Sequence, residues 1–113
     1  GGPAGSANPF GVARAIGKAY SYRYRLTDAE PLFRSVLAVH PDSVDAALGI
    51  ASVQLKRGGD DLPKAEAGVK AIIDKDPTQA RARYLMGQIH EQRGEFAAAM
   101  AEYRKVAELL LDR

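Results

Sequence analysis

The sequence predicts an all-α protein, a right-handed α-solenoid of three antiparallel helix-turn-helix hairpins. Three observations carry that reading. A 34-residue pattern occurs three times, apolar residues within each copy are spaced by four and three, and cap or turn residues stand at the boundaries this spacing implies.

The repeat is clearest where Ala-containing stretches are aligned: "AEPLFRSVLAVHPD" from Ala29, "AEAGVKAIIDKDPT" from Ala65 and "AMAEYRKVAELLLD" from Ala99. Each places an apolar residue four positions on (Phe33, Val69, Tyr103), a base next (Arg34, Lys70, Arg104), and a β-branched residue three after the apolar one (Val36, Ile72, Val106). Spacings of four and three put these side chains on one helix face. Ahead of each stretch lies a second amphipathic segment with a small residue at its centre, in Ile16-Gly17, Ile50-Ala51 and Met86-Gly87, where a neighbouring helix can come close. The tiling is 1–9 as a leader, then a domain over 10–113 with repeats 10–43, 44–79 and 80–113. The middle repeat carries two extra residues in the "GGDDLP" turn.

Taken in order, helices are expected over roughly 10–23, 27–39, 43–57, 62–74, 78–93 and 95–111. Asn8-Pro9 starts the first. "TDAE" from Thr27 reads as a capping box with Glu30, and Pro31 falls in the first turn, where its missing N–H matters least. Asp42, Asp61 and Asp76 are the expected N-caps of the next helices. Gly58-Gly59 and Gly94 mark the turns inside the second and third hairpins.

Composition narrows the function classes. Sixteen basic and 14 acidic residues leave a net charge of +2, too balanced for charge alone to drive binding to nucleic acid or a membrane. With no Cys, disulfides and Cys-ligated metals are excluded and the redox compartment is undetermined. No apolar run approaches membrane-spanning length, and "GGPAGSANP" has no charged or apolar signal region. It reads as a linker at the edge of an excised fragment; the compartment is unassigned, with the cytoplasm as the default.

The pattern resembles the tetratricopeptide repeat (TPR) family over residues 10–113. In the first repeat the resemblance rests on Ile16, Gly17, Tyr20, Ala29, Phe33, Val36 and Pro41; in the second, on Ile50, Ala51, Gly58, Leu62, Ala65, Ile72 and Pro77; in the third, on Met86, Gly87, Gly94, Phe96, Ala99, Tyr103 and Val106. Tyr24 stands where the first turn usually has Gly, and the last repeat runs into "LLLDR" in place of a terminal Pro. The resemblance decides the reading of "AIGKAYSYRYR", residues 15–25, which also suggests a phosphate loop or an alternating strand. A phosphate loop needs Ser or Thr after its Lys, whereas Lys18 precedes Ala19, and no second strand is available to pair with Tyr20, Tyr22 and Tyr24.

Catalytic chemistry finds no foothold. His40 and His90 lie outside any recognisable metal or acid–base motif, Ser6, Ser21, Ser35, Ser43 and Ser52 have no nucleophile-elbow context, and Asp60-Asp61 lacks the further oxygen ligands of a cation loop. No cofactor is implied.

The resemblance implies instead a non-catalytic scaffold that grips a partner protein or peptide on the concave face lined by the first helix of each repeat. The exposed positions carried over are Gly11, Arg14, Lys18, Ser21 and Tyr22, then Asp45, Leu48, Ser52, Leu55 and Lys56, then Arg81, Tyr84, Gln88, Glu91 and Gln92. Arg14, Lys18, Lys56 and Arg81 make this face basic while Tyr22, Leu48, Leu55 and Tyr84 add apolar area, a combination suited to a segment with some acidic character. The carboxylate clamp of chaperone-binding relatives is only partly matched, because Lys18 and Gly49 occupy the positions where Asn is expected. The competing reading is nucleic-acid binding through Arg14, Lys18, Tyr22, Arg23 and Arg25. Its weakness is that five bases against three acids give the first repeat only +2. Finally, Leu109, Leu110 and Leu111 reach the C-terminal flank without a polar cap, which predicts either a longer array whose residues after Arg113 stabilise the chain or weak self-association through Leu110 or Leu111.

Overall fold

A computed structural model of the chain describes the backbone of residues 26–111 and the side chains of residues 28–111. Five α-helices succeed one another: α1 (Leu26–Val39), α2 (Val44–Arg57), α3 (Leu62–Lys75), α4 (Ala80–Gln92) and α5 (Phe96–Leu111), with a 3₁₀ turn over Gly59–Asp61 between α2 and α3. The described residues include no strand. Each helix packs on its neighbour in sequence, and α2 also touches α4. That pattern is an α-solenoid: two complete hairpins, α2–α3 and α4–α5, preceded by the second helix of the first repeat. The helix expected over 10–23, with Gly17 and Tyr20, lies outside the described residues.

Local chemistry explains the boundaries and corrects several of them. Ser43, not Asp42, caps α2, accepting from the Ala46 amide at 3.2 Å. Asp61 precedes α3 as expected but makes no capping bond, its carboxylate going to Arg57 at 3.1 Å and Lys64 at 3.5 Å. Asp76 closes the end of α3 and accepts from both the amide and the hydroxyl of Thr78, so α4 begins at Ala80, two residues later than expected. These two bonds hold the Asp76 carboxyl below the usual carboxylate range. Helix α1 begins at Leu26, which puts Thr27 inside it and Pro31 in its second turn; Glu30 turns to Arg34 and Arg57 rather than back to a cap. The two extra residues of the middle repeat fall at the 3₁₀ turn, entered through Gly58 at φ 68° and Gly59 at φ 54°, a left-handed backbone that side chains with a Cβ disfavour.

The core runs between hairpins. Leu48, Ala51 and Leu55 of α2, Ala65 and Val69 of α3, and Ala82, Leu85, Met86 and Ile89 of α4 form one buried cluster, with Leu62, Ile72 and Ile73 packed on its margin. The expected close contacts are present at Ala51, which is 2% exposed, and at Gly87, where a Cβ would sit 2.5 Å from the Tyr103 ring. A close contact absent from the sequence reading occurs at Gly49, whose Cβ would lie 2.6 Å from Phe33 of α1. Ion pairs tie the helices together: Glu30 with Arg34 and Arg57, Glu66 with Arg93, and, largely covered, Arg83 with Glu102.

Candidate functional site

Helices α2 and α4 are the first helices of successive repeats, so residues 36 apart hold equivalent places on them. On each, one stripe faces the core and the next faces outward. Asp45 and Arg81 are an equivalent pair and are joined by a salt bridge, both side chains being more than half exposed. Further along, Gln92 donates through Nε2 to the Leu55 carbonyl at 3.2 Å, which lays the end of α4 against α2. Between these contacts lie Ser52 and Gln88, half-buried, and Lys56, exposed. Equivalent polar positions along the two helices thus form a ladder: Asp45 and Arg81, joined directly, Ser52 and Gln88, and Lys56 and Gln92, of which Gln92 reaches the Leu55 backbone.

The described apolar residues expected at the site, Leu48, Leu55 and Tyr84, are not on that ladder. Leu48 is 1% exposed and Leu55 6%, both inside the buried cluster. The reading of them as apolar groove residues is corrected: α4 packs across them, so they hold one repeat to the next. Their equivalents on α4 have no helix of the described chain across them. Tyr84, equivalent to Leu48, is 50% exposed and tilts against Tyr103 with ring centroids 5.6 Å apart. Glu91, equivalent to Leu55, accepts from the Tyr103 hydroxyl at 2.6 Å. Burial first, and then this bond to a carboxylate, push the Tyr103 pKa up to about 12. Arg14, Lys18 and Tyr22 lie outside the described residues.

The basic character expected of this face is also smaller than the residue types suggest, because Arg81 is paired with Asp45. Glu30 and Asp61 are held below the usual carboxylate range, Glu30 first by the Arg34 guanidinium and Asp61 first by Arg57, so this charge cluster is internally matched. The carboxylate-clamp reading has no room at Gly49, since any side chain there meets Phe33. One pair escaped the sequence reading: His90 Nδ1 lies 2.8 Å from Glu95 Oε1 across the α4–α5 turn. The spacing of five was the available signal, but it joins two helices only when Gly94 bends the chain at φ 77°. Among the described residues no group of three or more His, Asp or Glu could hold a metal ion, and no helix is long and apolar enough to cross a membrane. Two surface depressions, one at Glu30, Pro31 and Arg34 and one at Pro77, Arg83 and Lys105, contain none of the expected site residues.

Comparison with known proteins agrees with this architecture. A family model described as tetratricopeptide repeat matches residues 14–60 and 56–110. Cellulose synthase operon protein C of Pseudomonas fluorescens (strain SBW25) is 31% identical over 107 residues, an alignment that takes in 84% of this chain and 8% of that protein. The chain thus spans less than a tenth of that relative's length. Repeats of this kind generally serve as protein–protein interaction modules, commonly without catalysis, and on the matched residues the chain belongs to the tetratricopeptide repeat family.

Proposed function

We propose that the chain is a non-catalytic scaffold segment that holds an extended peptide or partner helix along the outer edge of α2 and α4, through Ser52, Lys56, Arg81 and Gln88, with Tyr84 on the adjoining stripe of α4. The observation that carries this reading is the ladder itself. Equivalent polar residues recur 36 apart on α2 and α4, and one such pair, Asp45 and Arg81, is exposed and joined across the two helices, while the adjoining stripe of α2 is committed to the core. A ladder of donors and acceptors at helical spacing can hydrogen-bond successive groups of a ligand, and the exposed ring of Tyr84 can cover its apolar side.

An acidic ligand fits through exchange. The Asp45–Arg81 pair is solvent-exposed, and such pairs contribute only about 0–1 kcal/mol, so a ligand carboxylate can replace Asp45 at little expense. Lys56 adds a second positive group four residues beyond Ser52. The matched relative is named for a cellulose synthase operon, so products of such an operon are the first partners to screen.

The experiment is capture of partners from the source organism, followed by titration of two sets of variants. Lys56→Glu, Tyr84→Ala and Gln88→Ala should each weaken binding by about tenfold, with folding intact. Arg34→Ala, Lys70→Ala and Arg104→Ala, on the second helices, should change it little. Loss of binding in the second set with none in the first would move the site to the opposite face.

A further inference from the structure

The middle and last repeats differ at three positions that the fold brings together. In the middle repeat they are Leu48 and Leu55 of α2 and Val69 of α3, all aliphatic and all in the buried cluster. The equivalent residues of the last repeat are Tyr84, Glu91 and Tyr103. Three aliphatic side chains are thus exchanged for two phenols and a carboxylate. The hairpin itself does not require them, since α2 and α3 form one without.

Tyr84 and Glu91 are seven residues apart on α4, two turns along one face. Tyr103 reaches both from α5. Its ring meets that of Tyr84 with centroids 5.6 Å apart and planes at 43°, and its hydroxyl donates to Glu91 Oε1 at 2.6 Å. Burial, and then this bond, push the Tyr103 pKa up to about 12, so the phenol stays a donor and the negative charge stays on the carboxylate. Tyr84 is 50% exposed, and Glu91 is exposed as well. Among the described residues no base pairs with Glu91, whereas Glu30, Glu66 and Glu102 each meet an arginine.

An exposed carboxylate held in place by a phenol, beside an exposed aromatic ring, suits a cation. The ring attracts the positive head or lies along its stem, and the carboxylate accepts its N–H groups. Arginine fits better than lysine, because a planar guanidinium stacks on a ring and donates in a fork at the same time. We propose that Tyr84, Tyr103 and Glu91 form a subsite for an arginine side chain of the partner segment. The subsite rests on the scaffold reading only for its ligand being a polypeptide. On that reading the segment offers an acid to Arg81 and a base to Glu91, near opposite ends of α4.

NMR titration of the chain with N-acetyl-argininamide tests the subsite without the partner, and the citrulline analogue, of the same shape but uncharged, is the comparison. The arginine compound should shift the Tyr84 and Tyr103 ring signals saturably and bind about fivefold more tightly than the citrulline compound. Glu91→Gln, whose amide oxygen can still accept from the Tyr103 hydroxyl, should abolish that preference. Glu108→Gln, at an exposed acid elsewhere on α5, should leave it intact. Tyr84→Ala removes an exposed ring without touching the Tyr103–Glu91 bond, and should weaken arginine binding by about threefold. No saturable shift at Tyr84, equal binding of the two compounds, or the same loss in Glu108→Gln as in Glu91→Gln would each overturn the proposal. A failed titration leaves the α2–α4 ladder standing, and ladder variants that do not weaken partner binding leave the titration unchanged, so the two readings fall separately.

Discussion

Leu48 and Tyr84 hold the same place in two consecutive repeats, and the chain treats them oppositely: Leu48 is 1% exposed and Tyr84 50%. The difference does not come from the two helices, which share spacing and the same kind of partner within their hairpins. It comes from the next repeat along the chain. Helix α4 packs over α2 and buries Leu48, whereas no helix of a following repeat is described over Tyr84. In a stacked array, burial at a given repeat position is a property of the neighbour as much as of the residue. The exposed first-helix face of one repeat is the interface of the next, unless a position lies on the outer edge where stacking never reaches it.

The largest test of this comparison is at the small residues. Ala65 is fully buried among α2, α3 and α4, and Ala99, its equivalent, is 2% exposed between α4 and α5 alone. Ala65→Glu buries an unpaired carboxylate between hairpins and should destabilise the protein by about 4 kcal/mol or unfold it. A melting temperature unchanged by Ala65→Glu would show that α3 and α4 do not close over that position.

Next in size is the contrast between Leu48 and Tyr84 themselves. Leu48→Ala should remove about 2–4 kcal/mol of stability, because it leaves a cavity between repeats, while Tyr84→Ala should remove under about 1 kcal/mol. Urea unfolding of the two variants measures both. Equal costs would mean that the two positions are equally packed and that the repeats are not distinguished by their neighbours.

These two positions also show where sequence reasoning stops. The five described helices were legible because each rests on local signals: Gly58 and Gly94 for the turns, and the four-and-three spacing for the buried faces. The caps were partly legible, since Asp42 and Ser43 are both good candidates and the choice turns on backbone geometry that neighbouring residues set. The site was less legible. Periodicity assigns Leu48, Ser52 and Lys56 to adjoining stripes of one helix, but which stripe meets the next hairpin depends on the crossing of α2 and α4. That crossing is marked by contacts between residues far apart in the chain, Asp45 with Arg81 and Leu55 with Gln92.

A smaller effect separates the repeats by side-chain size. Gly87 faces Tyr103, and the equivalent pair in the preceding repeat is Ala51 with Val69, both in the buried cluster. The smaller first-helix residue goes with the larger second-helix one. Gly87→Ala should therefore cost about 1–3 kcal/mol, because the new methyl overlaps the ring. Adding Tyr103→Val should recover part of that loss, giving a favourable coupling in the double-mutant cycle. Strict additivity would show that the ring moves aside freely and that Gly87 is not selected by Tyr103.

The smallest effect is one that only the last repeat can show, because Val69 at the equivalent position cannot ionise. Tyr103 has its pKa raised from 10.0 to about 12, first by burial and then by its bond to Glu91. The folded chain thus keeps the phenolic proton over a range in which the unfolded chain has released it. Where the native state binds more protons, stability falls as pH rises, so the contribution is fully present below about pH 10 and is lost on approaching about pH 12. Melting curves of the parent and of Tyr103→Phe across this range should diverge, the parent losing stability more steeply while the variant shares only the losses from lysines and other common groups. Below about pH 9 the two should run parallel. Parallel curves through the whole alkaline range would mean that the hydroxyl is as well solvated in the fold as outside it, and that the α4–α5 hairpin leaves this ring open to water.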